Sequence, residues 1–203
     1  MSNHGIDIMR WGYKHIAKPI VFHMEPDKAH EVMIKFCRTA GHIPPLMGLL
    51  HLMTKVEDGT LERDLMGIHF MNPFGLSAGL DKTGDLTRCL DSAGWGFETF
   101  GTVTGTPSNG NPRPWYHRLP EYNSLLIHAG LPSEGVDVVP QRAVRWPRPH
   151  GMILSGSVGP SNRHYDNGYD GIIHDMMLAF NGMSSTDGVD IIEANISCPN
   201  LQY

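Results

Sequence analysis

The amino-acid sequence predicts an α/β protein, the N-terminal half of a (β/α)8 TIM barrel preceded by a small helical extension. Two observations carry this prediction. From residue 65 onward, short apolar runs alternate with amphipathic segments, a pattern typical of parallel strands connected by helices. Before that point the periodicity of apolar residues is helical, which separates an extension (residues 1–64) from the half barrel (residues 65–203).

Two segments predict the helices of the extension. The first begins at Glu25-Pro26-Asp27, where a proline in the first turn and acidic side chains near the positive end of the dipole favour initiation. The second covers residues 46–53, follows Pro44-Pro45 and is apolar on most sides. We interpret it as a core helix, with a helix that faces a membrane surface or a quinone as the alternative.

Four strands are predicted in the rest of the chain, at residues 74–79, 97–101, 151–157 and 189–195. Each is a short apolar run that fits a buried strand of a parallel sheet. Helices are predicted at residues 83–91 and 169–180, and an excursion rich in Gly, Pro and Asn covers residues 104–120. This alternation predicts right-handed βαβ units.

Four such units are half of a barrel, which typically needs about 250 residues. A half barrel would leave two strand edges and apolar interior side chains exposed. We therefore expect a second half, supplied by another chain, a second copy or a C-terminal segment. An open four-stranded sheet is the alternative.

Composition argues against several classes of function. Sixteen Lys and Arg against 21 Asp and Glu give a net charge of −5, so no basic field favours nucleic acid. The three cysteines lack the spacing of a metal site, and their small number suits a reducing compartment. Neither a signal peptide nor an apolar run near the ~20 residues of a membrane span is present. We expect a cytoplasmic protein.

Reactive side chains follow the predicted strands, which is where the active site of a barrel forms. After the first strand, Ala78 and Gly79 would let a planar ligand approach the backbone closely. Lys82 would place a cation near negative charge that develops on a ring or a carboxylate. A lysine on a loop is nevertheless more often simply solvated.

The segment after the fourth strand adds amides and a thiol. Asn195 and Asn200 each offer a donor and an acceptor that suit an imide or a carboxylate. Cys198 is a candidate general base, because a thiol can be tuned to ionise near neutral pH. The ordinary interpretation, a cysteine that fills buried space, stays open.

Taken together, these motifs resemble the dihydroorotate dehydrogenase family, and most closely its membrane-associated, quinone-using class. The resemblance runs from about Trp11 to Asn200. The matching segments are EPDKAHE (residues 25–31), NPFGLSAGLDKTG (72–84), GTVT (101–104), GNPRP (110–114) and RLP (118–120).

The resemblance implies a flavoprotein barrel that contains FMN and oxidises dihydroorotate to orotate in pyrimidine biosynthesis. It also implies a quinone acceptor that enters through the N-terminal helices, which would rest peripherally on the inner membrane. The implied cofactor-binding residues are Ala78, Gly79, Leu80, Asp81, Lys82, Thr102 and Asn195. Lys82, Asn195 and Asn200 would bind the substrate, and Cys198 would remove the C5 proton while a hydride leaves C6 for flavin N5.

Three departures from the family pattern keep other hypotheses open. Cys198 is the base of the soluble class, whereas the quinone-using class has serine. The loop pattern Asn-x-x-Gly-Phe-Asn reads IHAGLP here (residues 127–132), and Ser157 and Pro160 replace a flavin-contacting Asn and a nearby Lys. The alternatives are the same flavin chemistry on a different substrate, and a non-catalytic half-barrel subunit. Since phosphate-binding loops of barrels follow strands seven and eight, we expect the isolated chain to bind FMN poorly and to be inactive.

Overall fold

The computed structural model describes residues 4–56 and 58–201. Its N-terminal part is helical, as predicted: α1 (His4–Gly12), a π-helical turn (Tyr13–Ala17), α2 (Lys18–Phe22), α3 (Pro26–Gly41) and α4 (Pro44–Thr54). Helix α3 begins at Pro26, where the sequence predicts it, with Asp27 in the first turn. No helix among the described residues is both long and apolar enough to cross a membrane.

A parallel sheet of four strands forms the centre of the remaining chain. The strands of the whole chain are β1 (Arg63–Leu65), β2 (Ile68–Phe70), β3 (Gly75–Leu76), β4 (Phe97–Thr104), β5 (Tyr116–Leu119), β6 (Ser124–Ile127), β7 (Ile153–Gly159) and β8 (Ile191–Ala194). The order in the sheet is β3-β4-β7-β8, and every neighbouring pair is parallel. Strands β1 and β2 form one antiparallel hairpin, and β5 and β6 form another.

Three helices accompany the sheet: α5 (Thr87–Ser92), α6 (Val139–Val144) and α7 (Tyr169–Ser184). The apolar core lies between the sheet and the last two of them. Its buried members are Phe100, Val103, Val136, Val139, Ala143, Leu154, Val158, Ala179 and Met183. Burial of these side chains supplies the main favourable free energy that holds helices and sheet together.

The predicted strands and their parallel order are confirmed, but several boundaries and elements differ. The first strand is paired only over Gly75–Leu76, and α5 begins at Thr87 instead of residue 83. The antiparallel hairpin of β5 and β6 and the short helix α6 were not predicted. The boundary proposed between residues 64 and 65 falls inside β1.

The interpretation of residues 46–53 as a core helix is wrong. In α4 only Met47 is buried, whereas Leu49 and Leu52 are 52% and 68% exposed. An apolar sequence predicts that a helix has a surface suited to burial. It does not show which part of the protein, or which partner, covers that surface. Among the described residues, this face of α4 is open.

Candidate functional site

Loops that follow separate strands of the sheet meet around one cavity of about 340 Å³. The first loop and β4 contribute Ser77, Ala78, Gly79, Leu80, Lys82 and Thr102. The segment after β8 contributes Asn195, Cys198 and Asn200, and the β5–β6 hairpin with the loop behind it contributes Tyr116, Leu125, Ile127, Ala129, Gly130, Leu131 and Pro132. Every site residue expected from the sequence except Asp81 therefore lines the same cavity.

Asp81 has a different place from the one expected. Its side chain is fully buried, and its carboxylate accepts hydrogen bonds from the backbone N–H groups of Gly84 at 2.8 Å and Leu86 at 2.7 Å. Further bonds come from the N–H groups of Thr83 and Asp85. A carboxylate that orders four successive donors fixes a turn. This turn explains why α5 starts late, and it assigns Asp81 a structural task in the loop.

Gly79 keeps the front of this loop open. Its φ is +113°, a backbone conformation that side chains rarely permit, and an added Cβ would meet no atom within 4 Å. The Gly79 N–H donates to the Gly101 carbonyl at 2.9 Å, and the Gly101 N–H donates to the Asp81 carbonyl at 2.7 Å. These two bonds hold the loop against β4, so the open space above Gly79 is a fixed feature of the cavity.

Lys82 is half-buried in the cavity wall. Its Nζ donates to the Tyr116 hydroxyl at 2.5 Å and to the Gly79 carbonyl. Burial lowers the pKa of Lys82 to about 8, although the negative charges of Asp81 and Asp27 oppose the shift. The cation is therefore present at neutral pH, but it is easily lost in mildly basic solution.

Tyr116 is a site residue that the sequence reasoning missed. It is 8% exposed, lines the cavity and shares a hydrogen bond with Lys82, and burial raises the pKa of its hydroxyl to about 12. The available signal is a pair of short runs, residues 116–119 and 124–127, separated by four residues that include Pro120 and Asn123, a spacing typical of a strand that returns as a hairpin. Recognising that strand would have predicted the hairpin beside the cavity.

On the opposite wall, three polar side chains form a chain of hydrogen bonds. Asn195 Nδ2 donates to Thr102 Oγ1 at 2.8 Å, and the hydroxyls of Thr102 and Ser157 lie 3.1 Å apart. Asn195 Oδ1 accepts from the Ser197 N–H at 3.3 Å. These contacts fix the orientation of the Asn195 amide. A fixed orientation is required of an amide that forms specific hydrogen bonds with the polar edge of a ring.

The other asparagine is held by the hairpin. Asn200 Nδ2 donates to the Ile127 carbonyl at 3.2 Å, and the Asn200 carbonyl accepts from Asn111 Nδ2 at 3.0 Å. Asn111 is 4% exposed and also accepts from Asn162 Nδ2 at 2.8 Å. Asn111 therefore ties the excursion to the loops after β7 and β8. In the sequence, Asn111 stands out only as part of the GNPRP motif.

The extension contacts the same cavity from outside through α3. The Asp27 carboxylate accepts from the Trp115 N–H at 3.0 Å and the Tyr116 N–H at 3.2 Å. His30 Nε2 donates to the Leu80 carbonyl at 2.8 Å, and its ring centroid lies 5.3 Å from that of Tyr116. Burial is the main cause that lowers the pKa of His30. Helix α3 thus positions both the first loop and the hairpin.

The cavity suits part of a flat ligand. Its volume lies at the lower end of the range for small-molecule sites, roughly 300–1,000 Å³. The small side chains and the open backbone at Ala78 and Gly79 leave room for a ring face, and Lys82, Thr102 and Asn195 provide polar groups at its edge. Among the described residues, no group of three or more His, Cys, Asp or Glu side chains could hold a metal ion.

Comparison with known proteins gives one consistent result. The family model described as dihydroorotate dehydrogenase matches residues 60–203. The chain is 34% identical over 185 residues to dihydroorotate dehydrogenase (quinone) from Roseiflexus sp. (strain RS-1), covering 91% of this chain and 50% of that protein. It is 31% identical over 188 residues to the protein of the same name from Christiangramia forsetii, covering 93% and 53%. The chain spans about half the length of the curated relatives it matches.

The solved structures agree with this result. A ligand-free DHODH from Eimeria tenella superposes with a TM-score of 0.70 at 26% identity, over 88% of this chain and 47% of that one. This likeness and the parallel order of the sheet are consistent with a partial barrel.

Proposed function

The chain belongs to the dihydroorotate dehydrogenase family, and from this premise we propose that it forms the cofactor- and substrate-binding face of an FMN-dependent oxidoreductase. The proposed reaction is the oxidation of dihydroorotate to orotate, with a quinone as electron acceptor. One observation supports it above the others: eight residues from three separate segments, which the resemblance assigns to the site, line a single cavity.

The residues of the cavity fit the ring end of FMN. When bound, FMN would supply an acceptor for one hydride, which carries the two electrons of the oxidation. We assign the ring face to Ala78 and Gly79, where the backbone is open, and the ring edge to Thr102, Asn195 and Lys82. We assign the phosphate end to the other half of the barrel, since phosphate sites in barrels follow strands seven and eight.

Lys82 and Cys198 have distinct proposed tasks. The Lys82 ammonium holds the carboxylate of the substrate and faces negative charge that develops during the reaction. The Cys198 thiolate accepts the C5 proton at Sγ, and the half-buried position of Cys198 in the cavity wall limits competition from water. Asn195 and Asn200 orient the ring through their amides.

Substitution of Cys198 tests this assignment in the complete FMN-bound assembly. Cys198→Ser keeps an ionisable hydroxyl and should retain partial turnover, whereas Cys198→Ala should lower the rate of proton removal by at least about 100-fold. The measurement is the rate at which dihydroorotate bleaches the flavin absorbance without oxygen. Equal rates in the two variants would remove Cys198 from the mechanism.

We propose that a second segment or chain completes the barrel. The edges of β3 and β8 pair with no other strand among the described residues, and α7 exposes Ile173, Met177 and Phe180 at helical spacing. The mass and the absorbance of the native particle test this proposal. A colourless particle with the mass of one chain would contradict both the completed barrel and the FMN assignment.

We propose that the quinone reaches the protein through the N-terminal extension. The helices α1 and α2 and the π-helical turn between them expose several apolar side chains: Ile8, Trp11, Ile16, Ile20 and Phe22. Such a surface suits peripheral contact with a membrane, where a quinone is dissolved. Sedimentation with phospholipid vesicles tests this contact, and protein that stays entirely in the supernatant would contradict it.

A second candidate is the same flavin chemistry on a less polar ring. Leu125, Ile127, Leu131 and Pro132 form one side of the cavity, and the Asn200 donor already binds the Ile127 carbonyl. A substrate screen separates the two candidates. Dihydroorotate would leave the flavin absorbance unchanged under the second candidate, whereas an apolar cyclic substrate would bleach it.

A further inference from the structure

Two cysteines outside the cavity meet where the extension packs against the sheet domain. Cys37 lies on α3 and Cys89 lies on α5, and these helices contact each other. Cys89 Sγ donates to the Cys37 carbonyl at 3.2 Å and lies 3.9 Å from Met47 Sδ. The contact with the Cys37 carbonyl brings the Cys89 thiol next to the Cys37 residue. Neither residue lines the candidate site.

The two thiols differ in reactivity. The hydrogen bond from Cys89 lowers the pKa of Cys37, and the same bond, together with burial, raises the pKa of Cys89. Both side chains are only half-buried. Since the thiolate is the nucleophile, Cys37 is the residue that a small disulfide would meet first.

We propose that Cys37 and Cys89 form a reversible disulfide, a redox-dependent link between the N-terminal extension and the sheet domain. The oxidant is a low-molecular-weight disulfide of the glutathione type. This link is independent of the proposed function, because it uses neither the cavity nor any residue assigned to it.

The exchange balances in two steps. The Cys37 thiolate attacks one sulfur of glutathione disulfide, the S–S bond breaks, and one glutathione leaves as a thiolate that takes up a proton. Once Cys37 is capped, Cys89 loses the partner that raised its pKa, and its thiolate attacks the Cys37 sulfur. The second glutathione leaves. Two thiols are oxidised to one disulfide, and one glutathione disulfide is reduced to two thiols.

The link would act on the helix that positions the cavity. It would close a loop between residues 52 positions apart and fix α3 on α5. Helix α3 carries Asp27 and His30, which bind the hairpin and the first loop. Oxidation is therefore expected to hold the extension in place over the cavity.

The test uses the full chain in a Cys198→Ser background, so that only the pair can react. After incubation with glutathione disulfide, the intact mass should fall by two hydrogen atoms, and a digest should yield one peptide pair that joins Cys37 to Cys89. The thermal midpoint should rise by about 5 °C and return after reduction. Cys37→Ser and Cys89→Ser in the same background should each gain one glutathionyl group at most, with no internal link.

Other outcomes overturn the proposal. Two glutathionyl groups that persist on the chain would mean that the thiols cannot reach each other. A covalent dimer would mean that the partner is another chain. An unchanged mass, in protein whose thiols react fully in urea, would mean that the folded pair is inert. Circular dichroism of both serine variants checks that each is folded.

Discussion

Helix α3 and the α1–α2 segment both belong to the extension, yet they are attached in different ways. Helix α3 buries Asp27, Ala29, Ala40 and Gly41, and its polar side chains bind backbone groups of the cavity loops. The α1–α2 segment, including its π-helical turn, buries no residue. Arg118 holds the end of this segment: its guanidinium donates to the Val21 carbonyl in α2 and to the Met24 carbonyl just after α2.

This difference separates two roles inside one helical region. Helix α3 is part of the structure that shapes the cavity, because removing its contacts would release Tyr116 and Leu80. The α1–α2 segment presents an apolar surface, and it is attached through the packing of α1 on α4 and through the hydrogen bonds of Arg118. None of the residues in these contacts lines the cavity, so the segment can meet a membrane or a partner without disturbing the site.

The largest effect that this comparison predicts comes from Asp27→Ala. The substitution leaves the buried N–H group of Tyr116 and the half-buried N–H group of Trp115 without their acceptor, so the free energy of unfolding should fall by about 2–3 kcal/mol. The matched control is Asp7→Ala on α1, whose side chain is 61% exposed in a loose pair with Arg10; its change should stay below about 0.5 kcal/mol. Urea unfolding followed by circular dichroism measures both. Equal losses of stability in the two variants would contradict the proposed difference between α3 and the α1–α2 segment.

A smaller effect is expected from Arg118→Gln. The guanidinium lies 2.7 Å from the Met24 carbonyl and stacks on Phe22 at 4.8 Å, and the variant should lose about 1 kcal/mol of stability. Limited proteolysis should cut faster between α2 and α3 while the rest of the chain stays intact. Arg10→Gln, on exposed α1, is the control. Faster cutting inside α3 would show that the two segments are not separate units.

The sequence predicted which residues would lie close together around the cavity, because strand order determines which loops meet. Strands 74–79, 97–101 and 189–195 end on the same edge of a parallel sheet, so their loops had to converge. Residues such as Lys82 and Asn195 could therefore be placed from the sequence together with the family resemblance. The late start of α5 could not, because it depends on how many backbone N–H groups the buried carboxylate of Asp81 accepts.

Contacts between residues that are far apart in the sequence could not be predicted. Tyr116 meets Lys82 across 34 positions, and Asp27 meets Tyr116 across 89. Periodicity describes neighbours within one element, whereas these contacts depend on how the excursion folds back as a hairpin. The interpretation of α4 as a core helix failed for a related reason, because the apolar residues of a helix do not show which distant segment packs on them.

The smallest effect is a displacement of a pH profile, and it tests whether α3 acts on the cavity by charge as well as by contact. The pKa of Lys82, lowered to about 8 by burial, is kept from falling further by Asp81 and Asp27. A lysine binds an anion only while protonated. The affinity of the assembled protein for orotate should therefore be constant well below pH 8 and fall about tenfold per unit well above it.

Asp27→Asn removes one of the two charges that favour the protonated form, but it keeps an acceptor oxygen for the hairpin. The pKa of Lys82 should fall, so the loss of affinity should begin at lower pH, with a displacement of less than about one unit. Asp7→Asn should leave the profile where it is. Calorimetric titration of orotate across the pH range measures all three proteins. Coincident profiles would limit the influence of α3 to its hydrogen bonds, and a displacement to higher pH would show that the charge of Lys82 is set by groups other than Asp27.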